Sequence, residues 1–253
     1  MKPVAPFLLE RLDRSSRILS GSRRPNDDAV HLARKRLKEA RAALRLLHPV
    51  LGLTRAAREE SVLRRAARRL SPLRDARVVS ALLARLRPAG LPAPRLPAPR
   101  PDWRRSGVEI ASCRRRLGEA FSRRLTRKEA LKGLNLSRRQ ARRRFRAARR
   151  AGVSADLHAL RKSVKRLRVQ LDLLDPGSGL GRDLGRLARL LGRERDLALL
   201  LRFLSGRSPS FPWMGEIARR AERRRALLAR SALSQARVLK GRFVAALPLV
   251  FAL

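Results

Sequence analysis

An internal repeat constrains this chain more than any other feature of its sequence. Residues 30–47 (VHLARKRLKEARAALRLL) align without gaps on residues 157–174 (LHALRKSVKRLRVQLDLL), 127 positions later. The identical positions in each copy comprise one histidine, four basic residues and three leucines: His31/His158, Arg34/Arg161, Lys35/Lys162, Lys38/Lys165, Arg41/Arg168, Leu44/Leu171, Leu46/Leu173 and Leu47/Leu174. A segment repeated in this way predicts two homologous halves, each built around one copy.

A second pair of similar blocks follows the first pair in the same order. Residues 66–79 resemble residues 187–200, and each block contains an Arg-Asp pair: Arg74-Asp75 in the first and Arg195-Asp196 in the second. Later in each half, Trp103 and Trp213 precede long helical patterns that run to about Leu131 and about Ala246. We therefore divide the chain into halves 1–133 and 134–253.

The residue pattern predicts an all-α fold. Apolar residues recur at helical spacing in nearly every segment, Tyr is absent, and Leu, Ala and Arg fill the long segments. Prolines fall where these patterns break: Pro25, Pro49, Pro72, Pro176, Pro209 and Pro212. Six further prolines in residues 88–101 predict an extended surface connection. We expect two pseudo-symmetric helical bundles of about four helices each.

Each copy of the repeat places its basic residues on one face of a helix. At roughly 100° per residue, these side chains fall within an arc of about 120°. We call them the first stripe (His31, Arg34, Lys35, Lys38 and Arg41) and the second stripe (His158, Arg161, Lys162, Lys165 and Arg168). Apolar residues such as Leu37 and Leu167 occupy the opposite face. Because like charges at i,i+4 spacing oppose helix formation, the stripes predict an anionic ligand; a solvated helix surface is the alternative interpretation.

The net charge of the chain also predicts an anionic partner. There are 63 Lys and Arg against 20 Asp and Glu, a formal charge of +43. Self-repulsion of this size destabilises a compact state and attracts counter-ions. Of the 63, 55 are arginines, whose guanidinium groups bind phosphate oxygens in pairs; coding preference is the alternative explanation for choosing Arg over Lys. Nucleic acid, an anionic membrane surface and a phosphate polymer all fit this charge.

Three roles compete for the two stripe histidines. His31 and His158 lie one turn before the first arginine of each stripe, where they can donate hydrogen bonds to phosphate, ligate a metal or serve the structure. A metal is disfavoured because no carboxylate or second histidine lies at ligand spacing. The third histidine, His48, precedes Pro49 and is interpreted as a helix-end residue.

Four arginines of the second block extend the predicted cationic surface: Arg68, Arg74, Arg189 and Arg195. Asp75 and Asp196 can hold these arginines in place. They can also complement a helix N-terminus after predicted breaks at Ser71-Pro72 and at Gly192. The two roles are compatible.

At these residues the chain resembles the CHAD family, the conserved histidine α-helical domain, over nearly its whole length. The resemblance rests on H-x-x-R-K-x-x-K-x-x-R at His31 and His158, and on L-x-x-x-R-D at Leu70 and Leu191. It implies a pseudo-symmetric pair of helical bundles with a basic central groove or pore. It also implies binding of inorganic polyphosphate and association with polyphosphate granules.

The resemblance carries the polyphosphate ligands onto four residues of each stripe: His31, Arg34, Lys38 and Arg41, and His158, Arg161, Lys165 and Arg168. Lys35 and Lys162 match one form of the motif more clearly than another, and we include them together with the four arginines of the second block. Three positions depart from the family pattern: Glu39 stands where a basic residue is common, Ser71 replaces a usual glycine, and Val169 stands where tyrosine is frequent. These departures bear on how equally the two halves bind the ligand.

Other functional classes have less support. Catalysis and a cofactor are not expected, because the sequence has no Gly-rich phosphate loop, no paired-carboxylate site, no Ser-His-Asp constellation and no E-x-E-x-K signature of the CYTH triphosphatases that often accompany CHAD modules. General nucleic-acid binding is the main alternative, although two Asn, three Gln and no Tyr disfavour sequence-specific recognition. A scaffold that recruits partner proteins through the C-terminal helix or the proline-rich connection is a third class.

Location is inferred from the cysteine content and the apolar segments. Cys113 alone forms no intramolecular disulfide, which indicates a reducing cytoplasm, and we interpret it as a small buried residue and not a thiol of lowered pKa. Neither end is expected to anchor in a membrane. Residues 1–10 lack the apolar run of a secretory signal, and the apolar run 243–253 falls short of the ~20 residues of a membrane span, so we expect it to dock as the end of a helix.

Overall fold

The computed structural model describes residues 3–21, 25–88, 102–121, 125–152, 154–206 and 213–251, with side chains described up to residue 239. Over these residues the fold is all-α, as predicted, with ten helices and no strand. They are α1 (Val4–Ser20), α2 (Asp27–Leu46), α3 (His48–Leu51), α4 (Leu53–Arg69), α5 (Ser71–Leu86), α6 (Trp103–Ala120), α7 (Arg127–Ala151), α8 (Ser154–Leu174), α9 (Gly179–Ser205) and α10 (Trp213–Phe251). The proline-rich connection lies outside the described residues except for Pro88, as do Pro209, Pro212 and the packing of the apolar run 243–253.

The two repeat helices begin at equivalent positions. Asn26 caps α2, because its side-chain oxygen accepts a hydrogen bond from the amide of Ala29 at 2.8 Å. Two aspartates in the first turn complement the positive end of the helix dipole. Helix α8 begins at Ser154. Both helices therefore start four residues before their stripe histidine.

The helical pattern after Trp103 is divided between two helices, contrary to the prediction of one segment to about Leu131. Helix α6 ends at Ala120, and Phe121 has non-helical dihedral angles of φ −91° and ψ 82°. Helix α7 then begins with a capping box, in which Thr126 Oγ1 accepts from the amide of Glu129 at 3.2 Å and Glu129 accepts from the amide of Thr126 at 3.0 Å. This T-x-x-E signal marks the break, whereas apolar periodicity alone continues across it. Helix α10 begins at Trp213 as predicted and extends to Phe251, beyond Ala246.

The chain divides into two compact units whose segments interleave along the sequence. Unit 1 comprises Met1–Arg74, Arg100–Gln140 and Arg166–Gly181, and unit 2 comprises Asp75–Pro99, Ala141–Lys165 and Arg182–Leu253. Helices α7 and α8 each contribute residues to both units. The halves 1–133 and 134–253 remain a prediction about the repeat, and these units do not follow that boundary. Among the described helices, six lie wholly within 1–133 and three within 134–253, which differs from four in each half.

Unit 1 packs α1 against α2 and α6, and α4 against α2 and α6. The buried residues at these contacts recur at helical spacing: Leu8, Leu12 and Leu19 in α1, Leu37 and Leu44 in α2, Leu63 in α4, and Ile110 and Leu117 in α6. One glycine allows a close approach of α7 to α2. A Cβ atom on Gly133 would lie 2.7 Å from the carbonyl oxygen of Leu46, so a larger residue would force the helices apart.

A buried ion pair joins α4 to α6. The Glu59 side chain is 2% exposed, and its two oxygens accept from Arg116 Nε at 2.8 Å and Arg116 Nη2 at 2.7 Å. Burial raises the pKa of the Glu59 carboxyl, but hydrogen bonds from Arg116 and Cys113 and the Arg116 charge outweigh burial and hold the pKa below its usual value. Glu59 therefore stays ionised in the core.

Cys113 is a buried residue, as interpreted from the sequence. Burial raises the pKa of its thiol well above the usual value, and the neighbouring Glu59 carboxylate adds to this effect. The thiol therefore stays protonated and acts as a hydrogen-bond donor to Glu59.

Unit 2 has its own core, formed by α5, α9 and α10. Its buried residues are Val79 and Leu83 from α5, Leu197, Leu199 and Leu200 from α9, and Ile217, Ala221 and Leu228 from α10. Glu194 is fully buried in α9 and accepts from Arg225 Nε of α10 at 2.9 Å. As in unit 1, a buried carboxylate with an arginine partner links two packed helices.

We expect Glu59→Gln to lower the free energy of unfolding at pH 7 by about 2 kcal/mol, because the Arg116 guanidinium loses its buried counter-charge while remaining a third exposed. The folded-state pKa of Glu59 lies below its unfolded value. The wild type therefore holds this stability above about pH 4.5 and loses it as the pH falls through the lowered pKa.

Urea unfolding followed by circular dichroism at pH 7 and pH 4 measures this effect. The variant should lose less stability than the wild type between the two values. Glu222→Gln, at an exposed position of α10, is the control and should behave as the wild type does. An equal pH dependence in the wild type and Glu59→Gln would contradict the role of this ion pair.

Candidate functional site

The first stripe contains both exposed and buried side chains. His31, Lys35 and Lys38 are exposed on α2, Arg41 is partly buried, and Arg34 is only 7% exposed. The stripe is therefore not one uniform cationic surface. Its two lysines face solvent, whereas its two arginines contact other helices.

Arg34 lies in the interior of unit 1, contrary to the expectation that the whole stripe faces a ligand. Its Nη1 donates to the carbonyl oxygen of Ala67 at 2.5 Å and to Ser71 Oγ at 3.0 Å. Ser71 Oγ in turn donates to the same carbonyl at 3.1 Å. The last carbonyls of a helix lack partners within it, and the long Arg34 side chain reaches one of them where α4 meets α5. Arg34 thus joins α2 to the second block.

The second stripe repeats the mixture of exposed and buried side chains, and it lies in unit 2 except for Arg168, which belongs to unit 1. His158 and Arg161 are partly buried, whereas Lys162, Lys165 and Arg168 are exposed. The Arg161 guanidinium lies against α9, since a Cβ atom on Gly192 would be 3.8 Å from its Nε and Nη2 atoms. In the aligned blocks Gly192 is the equivalent of Ser71. The first arginine of each stripe therefore lies against the same position of its second block.

Two of the predicted arginines of the second block lie one helical turn after the positions that the stripe arginines contact. Arg74 lies three residues after Ser71 and Arg195 three residues after Gly192, so each shares a helix face with that position. Both are partly buried. Arg68 and Arg189 are exposed. Arg34 thus contacts its second block within unit 1, and Arg161 contacts its second block within unit 2.

The predicted helix break at Gly192 is absent. Helix α9 continues from Gly179 to Ser205, whereas the first copy breaks between α4 and α5 as predicted. Pro72 follows Ser71 in the first copy and cannot donate an amide hydrogen bond within a helix, but Arg193 stands in its place and can. Asp196 therefore lies inside a helix and cannot complement an N-terminus.

The later part of α8 packs beside α2 in unit 1. Gln170 Nε2 donates to the carbonyl oxygen of Ala42 at 3.0 Å. One amide oxygen, Oε1 of Gln140, accepts from both Arg45 and Arg166. Ala42 of α2 lies beside Gln170 of α8, and the later residue Arg45 lies near the earlier residue Arg166. The two helix segments therefore run antiparallel. Ala42 and Gln170 are one position from equivalence in the repeat.

Arg45 and Arg166 belong to a cluster that sequence reasoning missed. We call Arg41, Arg45, Glu60, Gln140 and Arg166 the Glu60 cluster; all five residues belong to unit 1. Glu60 Oε1 accepts from Arg45 Nη2 at 2.8 Å, Arg45 Nε at 3.0 Å and Arg41 Nη2 at 3.2 Å. Arg45 falls inside the arc of the first stripe, which is a signal that could have found it. A comparison of the two copies does not identify Arg45, because the equivalent residue in the second copy is Asp172.

Burial and crowding act on the charges of the Glu60 cluster. Burial lowers the pKa of Arg166 to about 10, and the nearby Arg45 and Arg41 charges add to this effect. Burial also lowers the pKa of Arg41. Hydrogen bonds and charge from Arg45 outweigh the effect of burial on Glu60 and hold the pKa of that carboxyl below its usual value. The cluster is therefore fully charged at neutral pH.

A family model, the CHAD domain, matches residues 7–179, about two thirds of the chain. The chain belongs to the CHAD domain family. The match includes both stripes and the second block of the first half, whereas Arg189 and Arg195 lie beyond it. No curated protein and no solved structure matches the chain.

Two departures of this CHAD chain from the family pattern have defined contacts. Glu39 forms an ion pair with Arg11 Nε of α1 at 2.8 Å. Ser71 supplies the hydroxyl that Arg34 binds, which a glycine cannot do. The equivalent arginines Arg41 and Arg168 also differ, since Arg41 binds Glu60 and Arg168 lies 3.7 Å from Asp172 on its own helix. The two copies therefore differ in how their cations are compensated.

The described residues contain neither a cluster of metal ligands nor a membrane-spanning helix. Among them, no group of three or more His, Cys, Asp or Glu side chains is arranged to hold a metal ion. Within the same part of the chain, none of the helices combines the length and the apolar character required to cross a membrane.

We expect Arg34→Ala to lower the free energy of unfolding by about 2–4 kcal/mol, because the Ala67 carbonyl and the Ser71 hydroxyl lose a buried charged donor. Lys38→Ala, at an exposed position on the same helix, should change stability by less than about 0.5 kcal/mol. Urea unfolding followed by circular dichroism measures both. Equal stabilities of the two variants would show that Arg34 does not fasten α2 to the second block.

Proposed function

We propose that this CHAD protein binds inorganic polyphosphate through the exposed residues of its two stripes. Membership of the CHAD family is the observation that carries the proposal. The exposure of Lys35 and Lys38 in the first copy, and of Lys162 and Lys165 in the second, supports it. The repeat thus presents one pair of lysines twice, on helices that its arginines fasten in place.

The lysine pairs suit a flexible chain of phosphates. Residues three apart on a helix lie on the same face, so each pair offers two ammonium groups side by side. An ammonium acts as a point charge without a fixed direction and tolerates different positions of a phosphate group. Arg34 and Arg161 have a different role in this proposal. They hold Arg74 and Arg195 beside the lysines, so that guanidinium groups can bind further phosphate oxygens.

In this proposal the stripes line one basic groove or pore between pseudo-symmetric halves. The antiparallel packing of α8 on α2 within unit 1 supports a twofold relation between the repeat helices. Binding would hold the protein at polyphosphate granules in the cytoplasm. The function is binding without catalysis and without a cofactor.

General nucleic-acid binding is the second candidate, and a basic helix surface outside the two stripes favours it. Within unit 2, α7 exposes Arg143, Arg144, Arg146, Arg149 and Arg150 with no acidic residue between them. Such a surface attracts any polyanion, including a sugar-phosphate backbone, with an affinity that falls steeply as salt rises. It also provides a matched control for the stripes, because its cations have the same charge and lie on a helix of the same protein.

We expect the double variants Lys35→Ala/Lys38→Ala and Lys162→Ala/Lys165→Ala each to weaken polyphosphate binding by about tenfold, because each removes two phosphate contacts. Each should also reduce the dependence of affinity on salt concentration. Arg143→Ala/Arg146→Ala, which removes the same charge from exposed positions of α7, should have a smaller effect. Calorimetric titration at two salt concentrations measures these changes. Equal losses in all three would show that total charge governs binding.

We also expect polyphosphate to displace DNA and RNA at equal phosphate concentration. A groove lined from two sides can surround a thin phosphate chain, whereas a duplex with its sugars and bases meets the protein from one side only. This preference should persist at physiological ionic strength, where exposed charges are screened over about 8 Å. Competition against a fluorescent oligonucleotide measures it. Nucleic acid that competes equally or better would favour the second candidate.

A further inference from the structure

The Glu60 cluster has more positive charge than its own carboxylate compensates. Arg41 and Arg45 donate to Glu60, and Arg166 donates to Gln140 within electrostatic reach of the same carboxylate. Three guanidinium groups thus share one acidic side chain, which leaves two positive charges over. Among the charged groups that act on Arg41, Arg166 and His48 in the described part of the chain, Glu60 is the only acid. The arginines and Glu60 are largely buried, so water screens this excess poorly.

Hydrogen-bond donors also remain unused around this cluster. Arg41 Nε and His48 Nε2 are both buried, and neither has a hydrogen-bond partner among the described residues. His48 begins α3 and lies within electrostatic reach of Arg45, Glu60 and Arg166. Leaving a buried polar group without a partner costs free energy, so a ligand that bonds to these nitrogen atoms would be favoured. The excess charge and the unused nitrogen atoms thus favour the same kind of ligand, an anion.

We propose that the Glu60 cluster, with His48, binds one tetrahedral dianionic oxyanion, a phosphate group. Two negative charges balance the excess of the three arginines over Glu60. The planar guanidinium forks of Arg41, Arg45 and Arg166 suit phosphate oxygens, which accept paired hydrogen bonds. The group is either free orthophosphate or one phosphate of a longer chain. In the second case the inference rests on the proposed function, and Arg45 and Arg166 join the residues that bind polyphosphate.

Glu60 acts in this site as an internal competitor of the ligand. Its Oε1 atom holds Arg41 and Arg45 in place without phosphate, so the arginines are already gathered when phosphate arrives. The same carboxylate repels the incoming dianion. Glu60 therefore makes the empty site more stable and binding weaker. A purely structural Glu60 would contribute only the first of these effects.

The experiment compares the wild type with Arg166→Gln, Glu60→Gln and the exposed control Arg143→Gln. The melting temperature of each is titrated with orthophosphate at pH 7.5 against sodium chloride of matched ionic strength, and binding of long-chain polyphosphate is measured separately. We expect orthophosphate to stabilise the wild type and the control equally. Arg166→Gln should weaken phosphate binding by about tenfold, since one charged donor group is lost. Glu60→Gln should melt lower in chloride but gain more from phosphate than the wild type does.

Arg45→Lys is the second variant, for use if Arg166→Gln does not fold. It keeps the charge and removes the guanidinium fork, and the line width of the orthophosphate phosphorus-31 resonance then reports binding. Dependence on Arg166 or Arg45 with orthophosphate supports a site for free phosphate, and dependence with polyphosphate alone supports a site for a chain phosphate. Independence with both ligands overturns this inference. Polyphosphate that fails to bind the wild type overturns the proposed function instead, whatever orthophosphate does.

Discussion

Electrostatic self-repulsion is the constraint on which the rest of this structure depends. A chain with a formal charge of +43 can bury a leucine-rich core only if its few carboxylates are placed where they oppose the most repulsion. The structure places several of them inside. Glu59 binds Arg116 between α4 and α6, Glu194 binds Arg225 between α9 and α10, and Glu60 binds Arg41 and Arg45. Solvent and counter-ions screen the charges of the exposed arginines. These carboxylates instead lie between packed helices, where screening is weak.

The repeat was visible in the sequence, but it did not distinguish residues that support the site from residues that contact a ligand. Arg34 and Lys38 are both identical in the two copies, yet Arg34 is buried against the second block whereas Lys38 is exposed. A helical wheel gives the direction of a side chain around the helix axis. It does not give the neighbouring helix that a long guanidinium reaches. Residues that are identical in the two copies therefore occupy equivalent positions, but only some of their side chains face solvent.

The fold class, the two stripes and the pairing of the two motifs could be predicted because they depend on local periodicity and on similarity between the copies. The break between α6 and α7 could also have been predicted from the capping residues Thr126 and Glu129, but apolar periodicity concealed it. The continuity of α9 through Gly192 depended on the absence of a proline in that copy. The interleaved units and the Glu60 cluster could not be predicted, because they result from contacts between residues far apart in the chain, such as Arg45 with Gln140.

Two positions that differ between the copies exchange an acid for a base, and they make the chemistry of the copies unequal. Arg45 corresponds to Asp172 and Glu39 corresponds to Arg166, so the copies have opposite charges at both positions. Both substitutions increase the positive charge of the Glu60 cluster, because Arg45 and Arg166 lie in it while Glu39 instead pairs with Arg11 of α1. Asp172 lies near Arg168 and reduces the charge of the second stripe at its end. A sequence that began with equal halves would thus gain one concentrated cationic centre, in unit 1, without any change in the spacing of its repeated lysines.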